Sequence, residues 1–539
     1  MLASVTPGAA AAPTSAGSFV AAARPRIILF GDSLTERGFD QPGGWAAYMA
    51  ANYTPQADVV NRGMSGYNTR WAVQVLPYVF GQPTASAGSG GSGGGAGALA
   101  GQVLFATLFF GANDAARKEG PEHSARQHVP VDEYGRNLRE MVSYMRATGI
   151  SRILLLTPPP VWAPGRRKHM LWRVGEASKD WPLDRTQEAT QPYARAAAEA
   201  AQELGVPCLD LNTLLQQEED WGERLLCDGL HLTPTGQEKL WSLVREAVWR
   251  EWPETRPEAL KTQFPAWDAI DFADIASSFL PQGEQQGQDG AAKEKAGGKA
   301  AAAAAAGVAN GAKATNSSLV ALSHKAQTYE PTTCWFSTLA PVTSGSVVVP
   351  ARPRIILFGD SLTERGFDQP GGWAAYMAAN YTRRADVVNR GLSAYNTRWA
   401  LQTLPYVFDG PSAGPTARSG SASAGAAAST AHAGEKEAVP EEGEAGTRGR
   451  QAQHQQHQSH PHPEPAASRV LFATILFGAN DAVLPDAPAK GREKHVPVEE
   501  YGRNLREMVS YARAAGVSRV LMITTPPVWA PGRRDFLVQ

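Results

Sequence analysis

Short apolar runs alternate along the first half of the chain with longer segments whose apolar residues recur every three or four positions. The runs predict strands over residues 26–30, 57–60, 103–110, 152–157 and 206–211. Among the helical segments, Tyr134, Leu138, Met141, Val142 and Met145 fall on one face and end at Gly149. A last helix opens with Thr233 as N-cap and Pro234 at its first position, and carries Leu240, Leu243, Val244, Ala247 and Val248 on one side. Strands alternating with helices predict an α/β fold, a mostly parallel sheet covered on both faces.

The same pattern then begins again. Residues 23–54 recur without a change at 351–382, residues 58–63 at 386–391, 104–107 at 471–474 and 134–144 at 501–511. The repeating unit is a whole domain rather than a solenoid turn, and near-identity at this level reads as a recent duplication. Both copies are interrupted before the third strand, by a Gly/Ser-rich stretch at 81–101 and by an acidic, then histidine-bearing insertion at 409–468. Composition predicts flexible loops there. The expected layout is a disordered tail at 1–23, a complete domain at 24–272, a low-complexity linker at 273–350 and an incomplete second domain at 351–539.

Composition narrows the chemistry. A formal net charge of −1 over 539 residues, with basic residues scattered in pairs such as Arg166-Arg167, argues against a nucleic-acid footprint. A small, largely uncharged substrate is expected instead. Cys208, Cys227 and Cys334 are too few and too unevenly placed for a disulfide framework or a zinc site, which fits a reducing compartment. His454, His457, His460 and His462 lie in Gln/His/Pro-rich surroundings that favour solvated low complexity over a metal site. No apolar run reaches the ~18 to 20 residues of a membrane span. A cytoplasmic location is expected, with an organelle as the alternative if the acid-free segment 1–23 is a transit peptide.

The first predicted strand ends in Gly31-Asp32-Ser33, the corner at which an open α/β sheet presents a side chain at the carboxyl end of a strand. Ser33 is the candidate nucleophile, although an Asp-Ser pair also suits a helix N-cap. Serine needs a base and a group to orient that base, and Asp228-Gly229-Leu230-His231 supplies both just before the last helix. Asn61-Arg62-Gly63 and Gly111-Ala112-Asn113 follow the second and third strands. The backbone N–H of Gly63, approaching substrate closely because glycine has no side chain, and the amide of Asn113 are candidate oxyanion donors.

These four blocks resemble those of the SGNH (GDSL-type) hydrolases, most closely the isoamyl acetate-hydrolysing esterase subgroup, over residues 25–252. The resemblance implies a three-layer α/β/α flavodoxin-like fold with a five-stranded sheet. It implies a serine esterase with Ser33 as nucleophile, His231 as base and Asp228 as its partner, and an oxyanion hole from the N–H groups of Ser33 and Gly63 and the Asn113 side chain. No metal or organic cofactor is implied. A short-chain ester is the expected substrate; a carbohydrate O-acetylesterase or a lysophospholipase would use the same triad. The second copy keeps Ser361, Gly391 and Asn480, but no Asp-x-x-His block follows them up to Gln539. It is expected to be inactive alone, with an uncovered sheet edge, and a scaffold role is its alternative.

Overall fold

The computed structural model describes residues 24–81, 83, 103–279, 352–408 and 470–528. The Gly/Ser-rich loop, most of the linker, the histidine tract and the N-terminal tail lie outside them.

In the first copy β1 (Arg26–Gly31) is followed by α1 (Ser33–Glu36), α2 (Trp45–Tyr53), β2 (Asp58–Gly63) and α3 (Thr69–Gln74). Then come β3 (Val103–Phe109), α4 (Val131–Ala147), β4 (Ile153–Leu156), α5 (Ala163–Val174), α6 (Gln187–Leu204), β5 (Cys208–Leu209) and α7 (Pro234–Glu251). The five strands are all parallel, in the order β2-β1-β3-β4-β5. The order reverses beside β1, so the carboxyl ends of β1, β2 and β3 open one crevice, where such sheets bind ligands.

Alternation of side chains across the sheet divides the core. Ile27, Leu29, Phe105 and Phe109 pack under α2 and α7, whereas Ile28, Phe30, Ala106 and Leu108 pack under α4 and α6. The predicted helix faces match this arrangement, with one exchange: in α7 Trp241 is buried, while Leu243 is only half-buried. Thr233 caps α7 as expected, its Oγ1 accepting from Gly236 N at 3.1 Å. The fifth strand shrinks to two residues.

The second copy repeats the start of this order with β6 (Arg354–Gly359), α8 (Ser361–Glu364), α9 (Trp373–Tyr381), β7 (Asp386–Gly391), α10 (Thr397–Ala400), β8 (Val470–Leu476), α11 (Val498–Ala514) and β9 (Val520–Met522). Its four described strands are parallel, ordered β7-β6-β8-β9. β4 is fully buried, but its counterpart β9 leaves Leu521 and Met522 54% and 42% exposed at the edge of the described sheet.

The described parts of both copies belong to one compact unit. They meet across the β2 and β7 edges with reciprocal contacts. Arg62 forms a two-pronged pair with Asp386 at 2.5 and 2.7 Å, and Arg390 pairs the same way with Asp58 at 2.6 and 2.8 Å. Arg24 donates to Asn389 O, Arg352 to Asn61 O, and Phe39 meets Phe367. Residue i touching j′ while j touches i′ is the signature of an isologous interface, here built inside one chain.

Residues 257–279 differ from expectation. The sequence pattern puts them at the end of the first domain and the start of the linker, yet Phe264 and Ile270 are buried in the second copy's core. Tyr395 Oη donates to Pro265 O at 2.7 Å, and Phe272 lies against Trp399. A segment with irregular aromatic spacing carries no periodic signal, so only its landing site reveals which core it completes.

Candidate active site

Ser33 is the first residue of α1, directly after β1. The capping falls to Asp32, whose Oδ1 accepts from Leu34 N at 2.9 Å. Ser33 Oγ is thereby left for another partner, and at the start of a helix its N–H has no acceptor within the helix. Burial, the largest influence, pushes the Asp32 carboxyl up to about 7; the Leu34 N–H opposes this and the charge of Asp114 adds to it. Asp114 is likewise pushed up to about 7 by burial, against hydrogen bonds from Thr69.

The other half of the site arrives from 198 positions along the chain. Ser33 Oγ lies 2.9 Å from His231 Nε2. His231 Nδ1 lies 2.8 Å from Asp228 Oδ2, while Asp228 Oδ1 accepts from the N–H groups of Leu230 and His231 at 3.0 and 2.8 Å. A narrow hairpin, closed by Cys227 N donating to His231 O and by a Leu226–Leu232 bridge, puts the carboxylate and the imidazole on one side. Gly229 sits at its turn with φ of 76°, and a Cβ there would strike Trp162 O and Arg166 N at the start of α5. Burial works against the charged form of Asp228, but the His231 side chain and backbone and the Arg166 charge outweigh it. They hold this carboxyl well below the usual range.

Asn113 follows the carboxyl end of β3. Its Nδ2 donates to Tyr67 O at 2.9 Å, which leaves one amide hydrogen, and its Oδ1 accepts from Arg185 at 3.2 Å. Gly63 is placed differently from the expectation. Its N–H donates to Asn61 Oδ1 at 2.8 Å inside its own loop, and a Cβ would collide with the backbone of Glu36. Glycine is required there because β2 ends hard against α1, whatever approaches from the crevice, and any donation by Gly63 to an oxyanion would be shared with Asn61.

Sequence reasoning missed three buried charges. Arg166, one of the scattered basic pairs in the sequence, has a side chain only 7% exposed and reaches Asp228 Oδ2 at 3.3 Å and Asp184 Oδ2 at 2.8 Å. Asp184 and Arg185 are also buried. Their spacing resembles that of ordinary surface charges, so only the absence of solvent around them distinguishes them. His169 approaches Asp228 Oδ2 at 3.9 Å, too far for a hydrogen bond, and burial together with the Arg166 charge holds its pKa below the ordinary value.

In the second copy the described geometry of the serine corner and amide is the same. Asp360 Oδ1 accepts from Leu362 N at 2.9 Å, Gly391 N donates to Asn389 Oδ1 at 2.8 Å, and Asn480 Nδ2 donates to Tyr395 O at 2.9 Å. Among the described residues no histidine is hydrogen-bonded to Ser361; His495 Nδ1 is engaged with Val483 O. No group of described residues has the makings of a metal site.

Two related family models match this chain, the GDSL-like Lipase/Acylhydrolase family over residues 29–239 and GDSL-like Lipase/Acylhydrolase over residues 355–536. An Arabidopsis thaliana GDSL esterase/lipase is 38% identical over 257 residues, covering 48% of this chain and 98% of that protein. The isoamyl acetate-hydrolyzing esterase 1 homolog of Rattus norvegicus is 39% identical over 249 residues, 43% of this chain and 90% of its own. A solved lipase/acylhydrolase from Enterococcus faecalis is 21% identical, with a TM-score of 0.31, over 44% of this chain and 98% of that one.

Proposed function

The chain belongs to the GDSL-like lipase/acylhydrolase family of carboxylic ester hydrolases, and from that premise we propose that its first copy hydrolyses short-chain, uncharged esters through an acyl-enzyme on Ser33. The observation that carries this reading is the unbroken relay Ser33 Oγ, His231 Nε2, His231 Nδ1, Asp228 Oδ2, with links of 2.9 and 2.8 Å. The choice of ester is supported by the relatives named for isoamyl acetate hydrolysis, such as the Rattus norvegicus homolog.

Ser33 Oγ attacks the ester carbonyl as its proton passes to His231 Nε2. Asp228 holds the imidazole in the tautomer with Nδ1–H and stabilises the imidazolium. The tetrahedral oxyanion is met by the Ser33 N–H at the start of α1 and by the free Nδ2–H of Asn113. Collapse expels the alcohol, which takes the proton back from His231. Water then attacks the acyl-enzyme, again deprotonated by His231, and its breakdown returns the proton to Ser33 and releases the carboxylic acid.

A fluorophosphonate probe mapped by peptide sequencing, together with a series of nitrophenyl esters of increasing acyl length, tests both levels. Modification of Ser33 and a kcat/KM that peaks at the short acyl chains are expected. Labelling elsewhere would overturn the nucleophile, and a peak at long chains would overturn the substrate class.

A further inference from the structure

Behind the relay runs a second line of charges that no step of the mechanism uses. Arg185 is enclosed, its side chain 3% exposed. Its Nε donates to Ala112 O at 2.6 Å, and its Nη2 to Asn113 Oδ1 at 3.2 Å and Gln127 Oε1 at 2.7 Å. On its other side Nη1 lies 3.4 Å from Asp184 Oδ2. Asp184 in turn takes Arg166 Nη2 at 3.0 and 2.8 Å, and Arg166 Nη1 reaches Asp228. Positive and negative groups therefore alternate from Asn113 to the relay carboxylate: Arg185, Asp184, Arg166, Asp228.

A carboxamide has two orientations of similar shape that differ only in which end donates. Turned the other way, Asn113 would set its oxygen against Tyr67 O and its NH2 against the guanidinium of Arg185. Both contacts would be repulsive. The fork of Arg185 also grips the Ala112 carbonyl immediately before Asn113, so it controls the backbone that carries the amide as well as the amide itself. We propose that Arg185 is a positioning residue for the reaction: it holds Asn113 with Nδ2–H toward the oxyanion, and Asp184 and Arg166 tie that donor to the carboxylate that orients His231. This inference rests on the esterase reading and deepens it.

The test uses the full chain and a cycle of Arg185→Lys and Asn113→Ala. Lysine keeps a cation beside Asp184 but cannot grip Ala112, Asn113 and Gln127 together. Arg185→Lys alone should lower kcat about tenfold with KM within about twofold, as expected for loss of an interaction made chiefly in the transition state. In the Asn113→Ala background the same change should cost less than about twofold, because its target is gone. A full tenfold loss in both backgrounds, or none in either, overturns the proposal.

Gln127→Ala removes one acceptor of Arg185 without altering Asn113 and should lower kcat about threefold with KM unchanged, but should have almost no effect in the Asn113→Ala background; equal losses in the two backgrounds overturn the proposal even if Arg185→Lys fails to fold. The two readings fail differently. Activity surviving Ser33→Ala would sink the esterase site itself, whereas collapse in Ser33→Ala and Asn113→Ala with an unaffected Arg185→Lys would sink only the positioning role.

Discussion

The two copies carry the same residues around their serines, and the structure gives them the same corner, yet among the described residues Ser33 alone of the two meets a histidine. Asp32 and Asp360 cap α1 and α8 alike, Asn61 and Asn389 both donate to the threonine carbonyl of the neighbouring helix at 2.7 Å, and Asn113 and Asn480 both reach a tyrosine carbonyl at 2.9 Å. The difference lies in what distant chain supplies. Ser33 receives His231 and Asp228 from the hairpin before α7, and Asn113 receives Arg185 from the segment before α6. A nucleophilic corner is therefore a local construction, and an activated nucleophile is a long-range one.

The largest effect should come from Ser33→Ala against Ser361→Ala. We expect the first to abolish ester hydrolysis in the full chain and the second to leave the rate nearly unchanged; equal halving of the rate would mean two working sites. His231→Ala should behave like Ser33→Ala while circular dichroism and Tm stay near wild type, since the ring lies outside the apolar face of α7. A collapse of the fold would instead make the residue structural.

Asn113→Ala should reduce kcat by ~10²–10³ with little change in KM, whereas Asn480→Ala should change neither. An effect confined to KM would remove Asn113 from the oxyanion. Next in size is a change to the face that joins the copies. Arg390→Met takes the two-pronged partner from the largely enclosed Asp58, which keeps Arg24 Nη1 at 3.7 Å, and loss of the charge-assisted hydrogen bonds should cost ~1.5–3 kcal/mol. The melting temperature should fall clearly, while Arg398→Met, which breaks the more exposed pair with Glu500, should cost under ~1 kcal/mol. Equal shifts from the two would show that the interface pair is no more protected than a surface one.

The smallest effect is in pH dependence. Burial raises the Asp32 carboxyl from 3.8 to about 7, so between these values the folded chain holds a proton that the unfolded chain has lost. That contribution to stability is complete below about pH 4 and disappears as pH rises through about 7. Asp114 and Asp360, raised to about 7 and about 6, tilt the curve the same way. Asp32→Asn should therefore flatten, without abolishing, the fall in Tm from pH 5 to 8; an unchanged slope would show that Asp32 does not titrate there.

Periodicity and block order made much of this protein legible. Apolar runs marked all five strands of the first sheet, because burial on both faces leaves little choice of residue along a parallel strand. The corner at Ser33 and the Asp228–His231 spacing before the capped helix were readable because turns, caps and short side-chain spacings are local chemistry, whereas the hairpin that closes around that pair came only with the structure. What the tertiary structure alone decided is of another kind. Arg166, Asp184 and Arg185 look like surface charges until packing removes the water around them, and Gly63 is a glycine because α1 passes against it. Nor does the identical stretch at 58–63 and 386–391 announce that its arginine pairs with an aspartate of the opposite copy. Sequence determines which groups can bond over a few residues; which distant groups share a dry contact depends on the closure of the whole chain, and there the energies of charges and close approaches are settled.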